Sequence, residues 1–437
     1  MTPVASSSGS VSPVPFEVYS VHFNFPGGQA IKLVDPAITQ PNPNQPVTVG
    51  ASPEWVVNGR NELAAYVRGT RPDLRVVFRA TPAADGTYTV GAVGVPLQVA
   101  ERQTTLAFDP ATGLSGPEVF QAANDLPDQV GIHHVTLDWY VRTHPSPSPC
   151  PLAGTSTHTL ATSWRAFVPA PTGEAGLPDW VYSPLMKWTC EWAAGQNDEL
   201  GICNAIIANV ANSGLRYGIF GVNDVREMLQ NHNWGAMCGV WYQAFQQMAH
   251  CQGVFVYRRR FLVDRRPMPQ NEEHWCAIVI CRGGLQQVTP THPPGNFHDN
   301  HTGFPIPAGG VPLVAAHERR YRFWCVPAIF LYDGHCINFL VYNGSLYLYD
   351  VCFGVGPILV HAPLPANNLT VAQGGADLAP FRAAYLDVAI DYMIGTIRNG
   401  PILLQAQYPH ANGMTVRTAD IPDVVNGNHG LTFRWGN

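Results

Sequence analysis

Between Phe16 and Phe167 the chain is cut into short apolar runs separated by clusters of Pro, Gly, Asp and Asn. The runs "FEVYSVHFNF", "LRVVFRA", "TYTVGAVGV", "TTLAFD" and "HHVTLDWYVRT" are rich in β-branched and aromatic residues. Short strands at regular spacing with turn signals between them predict an antiparallel β-sandwich-like domain over 14–167. A Ser/Pro/Gly-rich stretch at 1–13 precedes it and reads as a flexible tail. The sequence "VPAPTGEAGLPD" at 168–179 comes next as a linker.

The pattern then changes. "VYSPLMKWTCEWAAG" and "DELGICNAIIANVANSG" carry apolar residues at helical spacing and run to Gly195 and Gly214. In "NWGAMCGVWYQAFQQMAHCQG" a stripe of Met237, Trp241, Tyr242, Phe245, Met248 and Ala249 predicts a buried helix closed by Gly253, with Cys238 in its first turn. Strand-like runs succeed it in "GVFVYRRRFLV", "HWCAIVI", "YRFWCVPAIFL" and "HCINFLVYNGSLYLYD". A Pro/Gly/His-rich insertion at about 289–316 separates the second from the third. "LAPFRAAYLDVAIDYMIGTI" reads as a further helix and "GLTFRWG" as a last strand. Helices ahead of a mainly antiparallel sheet make 180–437 a second, α+β domain.

Charge narrows the partners. Only 13% of residues are charged, the net charge is −6, and Lys32 and Lys187 are the only lysines. Without net basic charge to release counterions, a nucleic-acid partner is not expected. The short run Arg258-Arg259-Arg260 reads as a solvated strand end. No apolar stretch is long enough for a membrane-spanning helix. The first residues lack the charged and apolar regions of a secretory signal, so synthesis in the cytoplasm is expected, with any export left to a specialised machine. The ten cysteines form no C-x-x-C pair or dense framework and read mostly as buried thiols, with room for one or two disulfides. No cofactor motif occurs, and "FHDNH" at 297–301 has too few ligands at defined spacing to predict a metal.

Two features carry chemistry. A cysteine in the first turn of a helix meets the positive end of the helix dipole, which favours thiolate. Gly235 and Ala236 before Cys238 are small and would leave its sulfur approachable. Downstream, Asn343-Gly344 signals a two-residue hairpin turn, since both positions need positive φ. That turn pairs Tyr342 with Ser345, Ile337 with Asp350 and His335 with Cys352. His335 and Asp350 then share a face on the diagonal, about 7–8 Å apart, with Phe339, Val341, Leu346 and Leu348 filling the rest. A histidine beside a carboxylate is a base beside its orienting partner. His274 is an alternative base, although a Gly283-Gly284 turn would set Pro293 opposite it and offer no diagonal carboxylate.

A G-x-x-C-x-x-W segment opening a buried helix, then G-H on one strand and Y-D-x-x-F-G on the next, resembles the transglutaminase-like superfamily, whose fold is related to papain-like cysteine peptidases. The likeness covers roughly 230–265 and 330–355. Ile337 stands where that superfamily usually has an aromatic residue, and the interval from Cys to His is lengthened by the insertion. The resemblance implies Cys238 as nucleophile, His335 as general base and acid, and Asp350 as orienter. For the oxyanion, the Cys238 backbone N–H is the natural donor, with Trp234 and Trp241 as supporting candidates. The expected activity is hydrolysis, deamidation or acyl transfer at an amide of a protein or peptide, in a bacterial effector or toxin. A delivery or inhibitor protein would engage 14–167. The alternative is a catalytically inactive binding or assembly module, such as a component of a phage or secretion particle.

Overall fold

The computed structural model describes residues 16–37, 52–80, 84–142, 153–210, 238–264 and 334–352 continuously, short segments between 212 and 236, and strands at 275–281, 286–287, 321–326, 354–360, 390–397, 403–407 and 432–436. Side chains are described up to Arg258 and, apart from Phe353, from Cys336 to Leu359. The architecture is mixed α+β, with several largely antiparallel sheets and a short helical region packed on a C-terminal sheet. The chain divides into two compact units. The first holds 1–167, 178–197 and 251–253; the second holds 168–177, 198–250 and 254–437. Residues 180–197, grouped by sequence with the C-terminal domain, thus belong to the first unit.

The first unit contains β1 (Phe16–His22), β2 (Lys32–Val34), β3 (Trp55–Val56), β4 (Leu63–Val67) and β5 (Asp73–Ala80). It continues with β6 (Gly86–Val95), β7 (Val99–Leu106), β8 (Glu118–Gln121), β9 (Gly131–Arg142), β10 (Thr155–Ser163), β11 (Trp180–Tyr182) and α1 (Ser183–Trp192). One sheet is ordered β3-β1-β5-β8 and another β4-β10-β9-β6-β7. Alternation decides what each strand buries. Leu74, Val76, Phe78 and Ala80 of β5 point into the same core as Val135, Leu137, Trp139 and Val141 of β9. Edge-on ring contacts at 6.0–6.2 Å join Phe78, Phe120 and Trp139 across the two sheets. The expectation of purely antiparallel pairing is corrected at β4, which runs parallel to β10. Those strands are distant in sequence, so no tight turn dictates their direction.

The core also holds polar groups. Trp139 Nε1–H donates to Ser156 Oγ at 2.9 Å, and Ser156 Oγ lies 2.8 Å from His158 Nε2. Ser156 and His158 are buried, and burial drives the His158 pKa down to about 3, so the imidazole stays neutral. At the C-terminal end of α1, Trp188 and Trp192 stack at 5.9 Å and are half-buried.

The second unit contains α2 (Glu199–Val210), β12 (Arg216–Tyr217), α3 (Val225–Gln230), α4 (Cys238–Cys251), β13 (Tyr257–Asp264) and β14 (Trp275–Cys281); the last residue of α4, Cys251, groups with the first unit. After these come β15 (Gln286–Gln287), β16 (Tyr321–Val326), β17 (Gly334–Tyr342), β18 (Ser345–Asp350) and β19 (Val355–Val360). β20 (Ile390–Ile397), β21 (Leu403–Gln407) and β22 (Thr432–Gly436) complete it. Asp198 and Asp224 start α2 and α3 by accepting the N–H groups of Gly201 and Glu227, each at 2.8 Å. The sheets are ordered β19-β18-β17-β13-β22 and β16-β14-β20-β21. One expectation is corrected. Residues 390–397, expected in a helix, form β20 in the middle of a sheet, where Ile390, Ile394, Thr396 and Ile397 suit a pleated surface. Arg258, Arg259 and Arg260 are the second to fourth residues of β13 and pair with Asn338, Ile337 and Cys336 of β17.

Candidate active site

α4 begins at Cys238. Val240, Trp241, Ala244, Phe245, Met248 and Ala249 are all buried, whereas Cys238 is half-buried. Ala236 is itself buried, and a Cβ on Gly239, next to Cys238, would meet nothing within 4 Å. The first turn of a helix carries unpaired N–H groups and the positive dipole end, both of which favour a thiolate there. Cys190, Cys203, Cys251, Cys336 and Cys352 are buried. Burial pushes Cys190 up to about 12 and raises Cys203 and Cys251 further, so these three thiols are inert near neutral pH.

The hairpin turn has the expected chemistry. Asn343 and Gly344 take φ of 49° and 75°, and pairing runs from Tyr342↔Ser345 to Asn338↔Tyr349. Beyond that pair the strands part. Asp350 pairs outward with Val355 of β19, and Cys352 lies in the turn closed by Gly354 N–H to Val351 O at 3.2 Å. The expected pairing of His335 with Cys352 is therefore corrected. His335 is the second residue of β17 and pairs with Phe261 of β13. Asp350 is fully buried at the end of β18.

α4 meets this sheet through specific contacts. Asn338 Nδ2–H donates to Tyr242 O at 2.9 Å, and Gln246 Nε2–H donates to Val256 O at 2.7 Å. Phe245 packs on Tyr349 at 5.3 Å, and the Arg258 guanidinium lies 5.4 Å from the Tyr242 ring centroid. Tyr349 Oη also donates to Asn204 Oδ1 of α2 at 2.7 Å. Asn338 and Tyr349 form one cross-strand pair and share a face, so that face receives the helices. Positions 335 and 350 have the opposite parity. They alternate to the face of Ile337, Phe339, Leu346 and Leu348, which is buried as well. The structure brings the strands of the predicted base and orienter together, but their positions fall on the face away from α4.

Of the supporting candidates, Trp241 is fully buried in α4. Trp234, His274, the His335 side chain, the 289–316 insertion and the 1–13 tail lie outside the described residues. Among the described residues, no group of three or more His, Cys, Asp or Glu could hold a metal ion, and no helix is long and apolar enough to cross a membrane. His133, on β9, lies 2.8 Å from Thr162 Oγ1, with its pKa lowered by burial. Sequence reasoning missed Asn338, a polar residue in an otherwise apolar strand interior. Neither a protein-family model nor a curated protein sequence matches the chain.

Proposed function

We propose that the second unit is a transglutaminase-like cysteine amidase with Cys238 as nucleophile, His335 as general base and acid, and Asp350 as orienting carboxylate. The observation that carries this reading is the placing of Cys238: half-buried on the first residue of a helix whose stripe of Trp241, Phe245 and Met248 is buried, while the other described cysteines are buried. The buried Asp350 carboxylate, at the end of a strand next to that of His335, supports it. In this reaction the Cys238 sulfur attacks the amide carbonyl carbon. The C–N bond breaks as the imidazolium returns its proton to the leaving amine, and a thioester remains. Water, ammonia loss from a glutamine side chain, or an amine acceptor would distinguish hydrolysis, deamidation and acyl transfer. Water is the default acceptor because it needs no second binding site. The first unit, as a β-sandwich-like module, would bind a delivery or inhibitor protein, as in a bacterial effector.

Strand alternation favours a second reading. Positions 335 and 350 fall on the face opposite the contacts of α4, as they would in a catalytically inactive assembly or binding module. Peptide-mapped alkylation of Cys238 by iodoacetamide in the full chain, followed against pH, separates the two. A profile lying well below that of an ordinary thiol supports the enzyme, and an ordinary thiol profile supports the scaffold.

A further inference from the structure

Asn338 is fully buried between Ile337 and Phe339, in the middle of β17. Asparagine is depleted in strands, and a buried carboxamide is costly unless its groups are paired. Only half of this one is. Nδ2–H reaches Tyr242 O, while the buried Oδ1 has no partner among the described residues. Tyr242 O lies inside α4, where the ordinary ladder gives it a donor already, so the helix does not need Asn338. The amide therefore contributes direction rather than net stability, tying one carbonyl of the helix to one residue of the strand.

Gln246, 3% exposed, makes a second tie to Val256 O. Tyr257 pairs with Phe339, so Val256 stands level with Leu340. From Gln246 to Tyr242 the helix rises about 6 Å. From Leu340 to Asn338 the strand covers about 7 Å. The two ties are thus one helical turn and two strand residues apart, and the next step brings Cys238 level with Cys336. Cys238 also precedes Trp241 and Phe245 by three and seven residues, which puts it on the stripe that Phe245 lays against Tyr349. We infer that Asn338 and Gln246 form a two-point clamp that holds Cys238 over Cys336, with Asn338 as a positioning residue for the nucleophile. Its catalytic meaning rests on the proposed function; the placement of Cys238 does not. Apolar packing alone is non-directional and would permit α4 to slide along the sheet.

The test uses the full chain and dibromobimane, a short reagent that bridges two nearby thiols, with the bridged peptides mapped by mass. Wild type is expected to give a Cys238–Cys336 bridge. Asn338→Leu, which removes the donor at similar volume, should move the ratio of held to displaced α4 about fivefold, the change carried by one hydrogen bond of about 1 kcal/mol, and so lower the bridge yield below that of wild type. The same variant should shift the pH profile of Cys238 alkylation, which a purely structural role would leave in place. If Asn338→Leu loses its cooperative unfolding, Gln246→Leu breaks the other tie and carries the same comparison. No bridge in wild type, or an undiminished bridge in the folded variant, overturns the clamp. A bridge in wild type with a Cys238 that titrates as an ordinary thiol leaves the clamp standing and removes the amidase.

Discussion

Glu54 makes the stability of the first unit fall as pH rises from about 4.5 to about 7. Its side chain is 7% exposed and accepts the backbone N–H groups of Phe23 at 2.7 Å and Asn24 at 3.2 Å. Burial nevertheless dominates and pushes its carboxyl up to about 7 from an ordinary value near 4.5, with a small addition from Glu62. Below pH 4.5 the carboxyl is protonated in both folded and unfolded chains. Between 4.5 and 7 the unfolded chain releases a proton that the folded unit keeps, so stability declines, and above 7 the loss is complete. At about 1.4 kcal/mol per pH unit, that interval amounts to about 3 kcal/mol. Glu54→Gln cannot ionise and removes this slope, at a pH-independent cost of about 1 kcal/mol for one lost acceptor. Denaturant unfolding of both proteins across the interval, with amide exchange at Phe23 and Asn24 as the local readout, gives the difference at each pH. That difference should move in favour of the variant by about 3 kcal/mol between the acid and neutral ends. A difference that stays constant with pH refutes the reasoning.

His158 acts in the opposite sense. Its folded pKa of about 3 lies below the unfolded value of 6.5, so stability is complete above 6.5 and falls as pH drops toward 3; His158→Gln should flatten that acid limb in the same titration. Two glycines with similar φ should differ sharply. Gly344→Ala meets nothing within 4 Å and should cost about 1 kcal/mol for its φ alone, whereas a Cβ at Gly253 would also stand 2.4 Å from Ala166 O and should cost several-fold more, as thermal unfolding of the two variants will show.

Strong periodicity and strong turns were readable in the sequence. The Asn343-Gly344 turn specifies its register through backbone sterics, and the α4 stripe comes from helical spacing, so both could be placed by residue number. β10 is harder to see because beside Leu160 it buries Ser156, His158 and Thr162. That pattern makes sense only once Trp139 and the Gln129 carbonyl stand beside it in the folded core. β20 carries apolar residues whose spacing fits helix and strand alike, and pairing with β14 and β21 decides between them. At the site, the start of α4 at Cys238 was legible. The face that α4 covers was not, because it depends on Asn338 and Tyr349 meeting Tyr242 and Phe245 across a long sequence separation.

The central claim, a nucleophilic Cys238 served by His335, is tested most directly by following iodoacetamide alkylation of Cys238 against pH in wild type and His335→Ala. A thiolate held by an imidazolium at a helix start titrates well below the ordinary thiol value of about 8.5, and losing the imidazole moves it back up. Cys238 should alkylate rapidly near neutral pH in wild type, and its profile should shift upward in His335→Ala. A Cys238 that titrates as an ordinary thiol in wild type, with the same profile in the variant, would contradict the claim.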